Sequence, residues 1–198
     1  MTIAKTITNL EKLFDKLNKK YFGGELEKPV ITIAPDTTKG AYGWCTSWKA
    51  WKDGESESYE VNICSEYLDR GILHVAETLL HEMVHLDNLM KGIQDTSNNG
   101  FYHNKKYKET AEAHGLTVEK DGKYGWCKTD LAEYTKVYIE SLKLSEVTLA
   151  RKKQEKPKVK SKNNSIKYVC PCCGAIVRAT KPVRIGCYDC DVEMEAAL

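Results

Sequence analysis

The stretch "ETLLHEMVHLDN", residues 77–88, decides how the rest of the chain is read, and it holds two of the five histidines. Each residue of a helix turns by about 100°, so His81 and His85 project about 40° apart and one turn apart along the axis. Both imidazoles can therefore reach one ion. Glu82 falls about 60° from His85 and can face the same cavity without displacing a ligand. Ile72, Leu73, Ala76, Leu79, Leu80, Met83 and Val84 supply a buried side, which predicts a helix with Asp69 as N-cap and Gly92 as its stop. Zinc suits such a site because it takes three protein ligands and keeps a fourth position for water. The ion lowers the pKa of that water to about 7 and polarises a carbonyl, and Glu82 is placed to act as general base.

A third ligand has to come from elsewhere. His74 lies seven residues before His81, about 10 Å along the axis, and is read as a packing or surface residue. His103 follows the loop "SNNGFY" and opens the next helix, which can return it to the ion, so it is the favoured third ligand. His114, Glu109 and Glu112 are the alternatives. His114 sits at an expected helix end, where a histidine commonly meets the last carbonyls. Glu77, one turn before His81, either hydrogen-bonds a ligand imidazole from behind or is a surface carboxylate.

The eight cysteines are unevenly placed, with Cys45, Cys64 and Cys127 scattered and five crowded near the end of the chain. Cys170-x₂-Cys173 and Cys187-x₂-Cys190, with 13 residues between the pairs, spell two knuckles joined by a short β-hairpin around a structural zinc held by four thiolates. Iron is the alternative metal. Cys172 interrupts the first knuckle and is left as a spare thiol. So small a module needs its metal to fold. Cys45 and Cys127 are read as buried thiols, and "YGWC" at 42–45 and 124–127 as coincidence rather than repeat.

Around these motifs the pattern is α+β. Ile7, Leu10, Phe14, Leu17 and Tyr21 form one apolar face of a helix over 3–21, which "FGGE" ends. "PVITIA" (29–34), "AYGWCTSW" (41–48) and "SYEVNIC" (58–64) read as a meander of strands. Helices follow around 104–114 and from about Thr129 to Leu144, separated by turns at "HGL" and "KDGKYG". Residues 1–149 form the main domain, 150–167 a basic flexible linker and 168–198 the cysteine-rich module.

Hydrophobic residues make up 41% and charged residues 29%, which fits a globular chain. No apolar run approaches the roughly 18 residues that span a bilayer, and the N-terminus lacks the order of a secretory signal. We therefore expect a cytoplasmic protein, a monomer with no membrane partner, whose thiols stay reduced. The net charge of +2 hides an asymmetry: residues 1–149 carry 19 basic and 23 acidic side chains, and residues 150–198 carry 11 and 5. Such a tail either meets nucleic acid or is a solvated linker.

"LNKKYFGGELEKPVI", "AYGW", "ETLLHEMVHL", "YHNKKYKETAEAHGL" and the terminal cysteine pairs together resemble the Spartan-related SprT-like zinc metallopeptidases. The broad group includes a protease of DNA–protein crosslinks. The resemblance implies a minimal zincin with a small sheet packed on the active-site helix, followed by a zinc ribbon. It implies His81, His85 and His103 as ligands of a catalytic zinc and Glu82 as the acid/base. The loop before the third histidine often reads glycine-histidine-glycine in that family, whereas here it reads "GFYHNKKY". The expected function is a zinc-dependent endopeptidase with a protein or peptide substrate, and DNA-associated proteins are candidates through the basic linker and ribbon. The rivals are a non-enzymatic zinc-containing DNA- or protein-binding adaptor and a zinc hydrolase acting on a small amide.

Overall fold

The computed structural model describes residues 2–37, 40–144, 149–152 and 165–197. Helix α1 spans Ile3–Tyr21, and the Thr2 side chain accepts the Lys5 N–H at its start. Leu10, Leu13, Phe14 and Leu17 are buried on the face that the spacing predicts. The turn after it is stitched by Asn18, whose amide donates to Leu26 O at 3.1 Å and accepts from Leu26 N at 3.2 Å.

Strands β1 (Val30–Thr32), β2 (Gly43–Cys45) and β5 (Glu60–Ile63) form one sheet, and β3 (Trp51–Asp53) and β4 (Ser56–Ser58) a separate hairpin. The sheet is not the expected meander. Its order is β1-β5-β2, with β5 parallel to β1 and antiparallel to β2. β5 is the most buried of the three, with Val61, Asn62 and Ile63 all inaccessible, and the strand that is buried on both faces takes the centre. The stretch "WKDGESE", expected as a turn, supplies the β3–β4 hairpin.

Helix α2 (Ile72–Met90) runs through the middle of the domain. It begins after Gly71 at φ +86°, with no side-chain cap, so Asp69 is not its N-cap. The positive φ that Gly71 supplies turns the chain into the helix two residues later than a capping side chain would. Val75, Ala76, Leu79, Leu80, Met83, Val84 and Leu86 are fully buried, and α2 packs against α1, β2 and β5 on some sides and the C-terminal half of the domain on others. A helix with apolar residues nearly all round is a core helix.

Strands β6 (Thr96–Ser97) and β7 (Tyr102–His103) lead into α3 (Lys105–Ala113), capped by the Asn104 side chain, which accepts from Lys106 N and Tyr107 N. The hairpin of β8 (Leu116–Asp121) and β9 (Gly125–Leu131) follows, and then α4 (Glu133–Ser141). The helix expected from Thr129 therefore starts at Glu133, and Thr129 lies on β9. Pairing overrides the helical reading: Leu116 and Val118 are buried while Thr117 and Glu119, which alternate with them, are exposed, and this alternation locks β8 to β9 with Leu116 opposite Leu131 and Val118 opposite Thr129. These four strands form a sheet of order β6-β7-β9-β8.

The chain divides into two compact units, Met1–Lys153 and Gln154–Leu198. Most of the stretch read as a flexible linker lies outside the described residues. Its start is held within the first unit: Arg151 N donates to Ser65 O at 2.9 Å, and its guanidinium pairs with Glu66 at 3.0 Å. Its end is already strand, since β10 covers Ile166–Val169. In the second unit β10 pairs with β11 (Ile176–Ala179) and β14 (Glu195–Ala197), and β12 (Gly186–Cys187) pairs with β13 (Val192–Glu193). Each knuckle thus closes its own hairpin, rather than one hairpin joining the two. Among the described residues no helix is long and apolar enough to cross a membrane.

Gly43 sits where β2 meets α2. A Cβ there would lie 2.8 Å from Asn62 O, 2.9 Å from Thr78 Cγ2 and 3.3 Å from Glu82 Cγ. Gly43→Ala is expected to cost about 1–3 kcal/mol by overpacking, read as an earlier denaturant midpoint for the first unit.

Candidate metal centre

α2 delivers His81 and His85 from consecutive turns to the wall of a cleft of about 1140 Å³. His103 comes from the end of β7. It is fixed there because its own N–H donates to Tyr124 O at 3.0 Å, and because β7 pairs with β9 through His103 and Gly125. Gly125 has φ +76°, and a Cβ on it would collide with the His103 carbonyl oxygen, so only glycine lets the strands come this close.

The three imidazoles meet. His81 Nε2 lies 3.2 Å and His85 Nε2 3.1 Å from His103 Nε2. The ring of Tyr107, one turn into α3, lies against all three, with centroids 4.9, 4.6 and 4.6 Å from His81, His85 and His103. Tyr107 is fully buried and its hydroxyl meets no partner among the described residues. His103 Nδ1 is likewise buried without one.

Behind the cluster, His85 Nδ1 donates to Asp95 Oδ2 at 2.7 Å, and Asn88 Nδ2 donates to the same oxygen at 3.0 Å. Thr110 in turn donates to Asn88 Oδ1 at 2.9 Å. His81 Nδ1 contacts Thr129 Oγ1 at 3.1 Å, and the Thr129 hydroxyl donates to Glu77. With His85 committed as a donor at Nδ1, the neutral ring carries its lone pair on Nε2. Lone pairs facing one another at these separations repel unless a cation or proton lies between them, so this donor set fits a metal ion.

The electrostatics agree. Burial, reinforced by the neighbouring His85 and His103, holds His81 well below the usual imidazole range, and burial pulls His103 down to about 4. Burial also opposes the charged form of His85, but the hydrogen bond to Asp95 overcomes it and raises that group. Asp95 stays low despite burial because His85 and Asn88 donate to it. Glu82 is buried, lines the same cleft and is pushed up to about 7 by burial.

The remaining candidates lie apart. His74 is exposed. His114 caps the end of α3, where its ring bonds to Thr110 O at 2.7 Å and stacks on Phe22 at 4.3 Å, and Glu109 and Glu112 are exposed. Glu77 does not touch a ligand imidazole itself; Thr129 stands between them. Cys64 is buried, and burial raises its thiol to about 12. Cys45 and Cys127 are half-buried and both line the cleft, and Cys45 also packs against the core. The two "YGWC" copies thus belong to different sheets that line one cleft. Sequence reasoning missed Asp95, Asn88, Thr129 and Tyr107; only Tyr107 left a signal, an aromatic residue four positions after His103.

In the second unit Cys170, Cys173, Cys187 and Cys190 bring their sulfurs within 4.8 Å of one another, a set that can hold zinc. Cys173 and Cys187 sulfurs lie 3.7 Å apart, and N–H groups of the knuckle, led by that of Cys173, lower Cys170 to about 7. Cys172 is exposed and stands outside the four.

A model of the SprT-like family matches residues 10–123, more than half of the chain. No curated protein and no solved structure matches it. The matched stretch runs from α1 into the β8–β9 turn and includes all three histidines.

Asp95→Ala leaves His85 free to rotate and to protonate at either nitrogen. Zinc affinity at the histidine site is expected to fall about 10–100-fold, measured by chelator competition, while the cysteine site keeps its affinity.

Proposed function

The chain belongs to the SprT-like family, and on that footing we propose that it is a zinc-dependent endopeptidase. The observation that carries the reading is the convergence of His81, His85 and His103 in a cleft that Glu82 also lines. In this reading those three histidines hold the catalytic zinc and the four cysteines hold a second, structural one. When bound, the catalytic ion supplies Lewis-acid polarisation of the scissile carbonyl and lowers the pKa of an attacking water. Glu82 takes the proton of that water and returns it to the departing amine. Its place beside Gly43 sets that carboxylate between the helix and the strand along which substrate would lie.

β2 is the substrate-binding edge in this proposal. Tyr42 O accepts from Cys64 N and Thr46 N donates to Glu60 O, so Gly43 and Cys45 direct their main-chain groups to the open side. An extended peptide can pair there with little regard for sequence. Tyr42, Trp48, Phe101 and Tyr124 line the same cleft and are 46%, 64%, 59% and 41% exposed, which gives apolar contacts to its side chains.

Glu82→Gln tests the reading. Zinc content is expected to be unchanged, with cleavage of an unfolded protein lowered about 10²–10⁴-fold. A variant that loses nothing, or a parent chain that cuts only small amides or nothing at all, favours the amidase or the adaptor.

DNA-associated proteins are the proposed substrates, supported by the basic residues of 150–198 and the family. Affinity for single-stranded DNA is expected to fall steeply as salt rises. A flat salt response, or binding that survives removal of 150–198, contradicts the anchor.

A further inference from the structure

We propose that Glu77 and Thr129 act together as positioning residues, a relay that fixes the His81 ring in the tautomer whose Nε2 lone pair faces the metal centre. The proposal rests on the metal-centre reading above and extends it to residues that touch no metal. Glu77 lies one turn before His81 on α2, and Thr129 reaches across from β9. A threonine hydroxyl has one proton to donate and lone pairs with which to accept. Here the proton goes to Glu77. Only lone pairs are left for the 3.1 Å contact with His81 Nδ1, so the ring nitrogen has to be the donor. A neutral imidazole protonated at Nδ1 has its lone pair at Nε2, the atom that faces His103 Nε2 at 3.2 Å.

The polarity of the relay is set at its far end. A carboxylate can only accept, so it orients the hydroxyl, and the hydroxyl orients the ring. A group at 77 that donates instead would let Thr129 turn its proton toward Nδ1 and favour the Nε2–H tautomer, which cannot bind a metal through Nε2. His85 needs no such intermediary because Asp95 meets its Nδ1 directly. Thr129 also lies beyond the stretch that matches the family, so the relay joins the matched helix to a strand outside the match. Both residues line the cleft as well as a smaller adjoining pocket bounded by Tyr42, Arg70 and His74.

The test uses the full chain and Glu77→Gln, Thr129→Val, Thr129→Ser and the Glu77→Gln/Thr129→Val double variant. Two quantities are read: imidazole ¹⁵N shifts of the metal-free protein, which report the tautomer, and zinc affinity at the histidine site by chelator competition. The parent should show His81 protonated at Nδ1. Glu77→Gln should move His81 toward the Nε2–H form and weaken zinc about 10–100-fold. Thr129→Ser should retain parental values, and Glu77→Gln should add nothing once Thr129 is valine. An Nε2–H tautomer in the parent overturns the relay, as does a Glu77→Gln affinity loss with the tautomer unchanged, or losses at 77 and 129 that simply add. If the parent binds no zinc at the histidines, the metal reading fails by itself, and the tautomer still decides the relay.

Discussion

Three imidazole nitrogens held face to face are the constraint around which the first unit is organised. Nitrogens this close repel wherever two lone pairs meet with no cation or proton between them, so the surrounding structure has to hold the rings in place. Two of the rings ride on a helix too buried to shift. The third is clamped by a strand pairing that needs a glycine, and a tyrosine ring supports all three from beneath. Polar groups behind the cluster meet the Nδ1 atoms of His81 and His85. The fold can be read as the set of contacts that keeps these three atoms from moving apart.

That arrangement also explains how strongly α2 is buried. An exposed amphipathic helix carries its polar stripe toward water, whereas α2 turns its stripe into a cleft and covers the rest of its circumference with protein. A histidine pair on such a helix sits in surroundings of low polarity, where burial works against the charged forms of the rings and of the Glu82 carboxyl group, although for His85 the hydrogen bond to Asp95 outweighs it. Burial therefore favours the neutral forms of His81 and His103 and raises the affinity of the Glu82 carboxyl group for a proton.

Much of this was legible in the sequence, and the illegible parts have physical reasons. The face of α1, the histidine pair with its glutamate and the cysteine knuckles are local patterns, fixed by residues within a few turns of one another. The parallel pairing of β1 with β5 is not local, since nothing in either strand names its partner. The β8–β9 hairpin hid because "KDGKYG" reads equally as a turn between helices, and misplacing Thr129 on a helix concealed its contact with His81. Asp95 sits in a polar stretch, "QDTSNNG", where one carboxylate looks like any other. Asp69 is a good capping residue in isolation, but Gly71 turns the chain and the helix starts there.

The two "YGWC" copies belong to different sheets and line one cleft, and in both the glycine occupies a spot where another element comes close: β5 and α2 at Gly43 and the backbone of His103 at Gly125. A strand without a side chain at that spot behaves like a spacer of zero thickness. It lets the thickness of bare backbone, rather than the bulk of a residue, fix how far the carboxylate and the third imidazole stand from the walls of the cleft. The dimensions of the site are thus set partly by atoms that are missing.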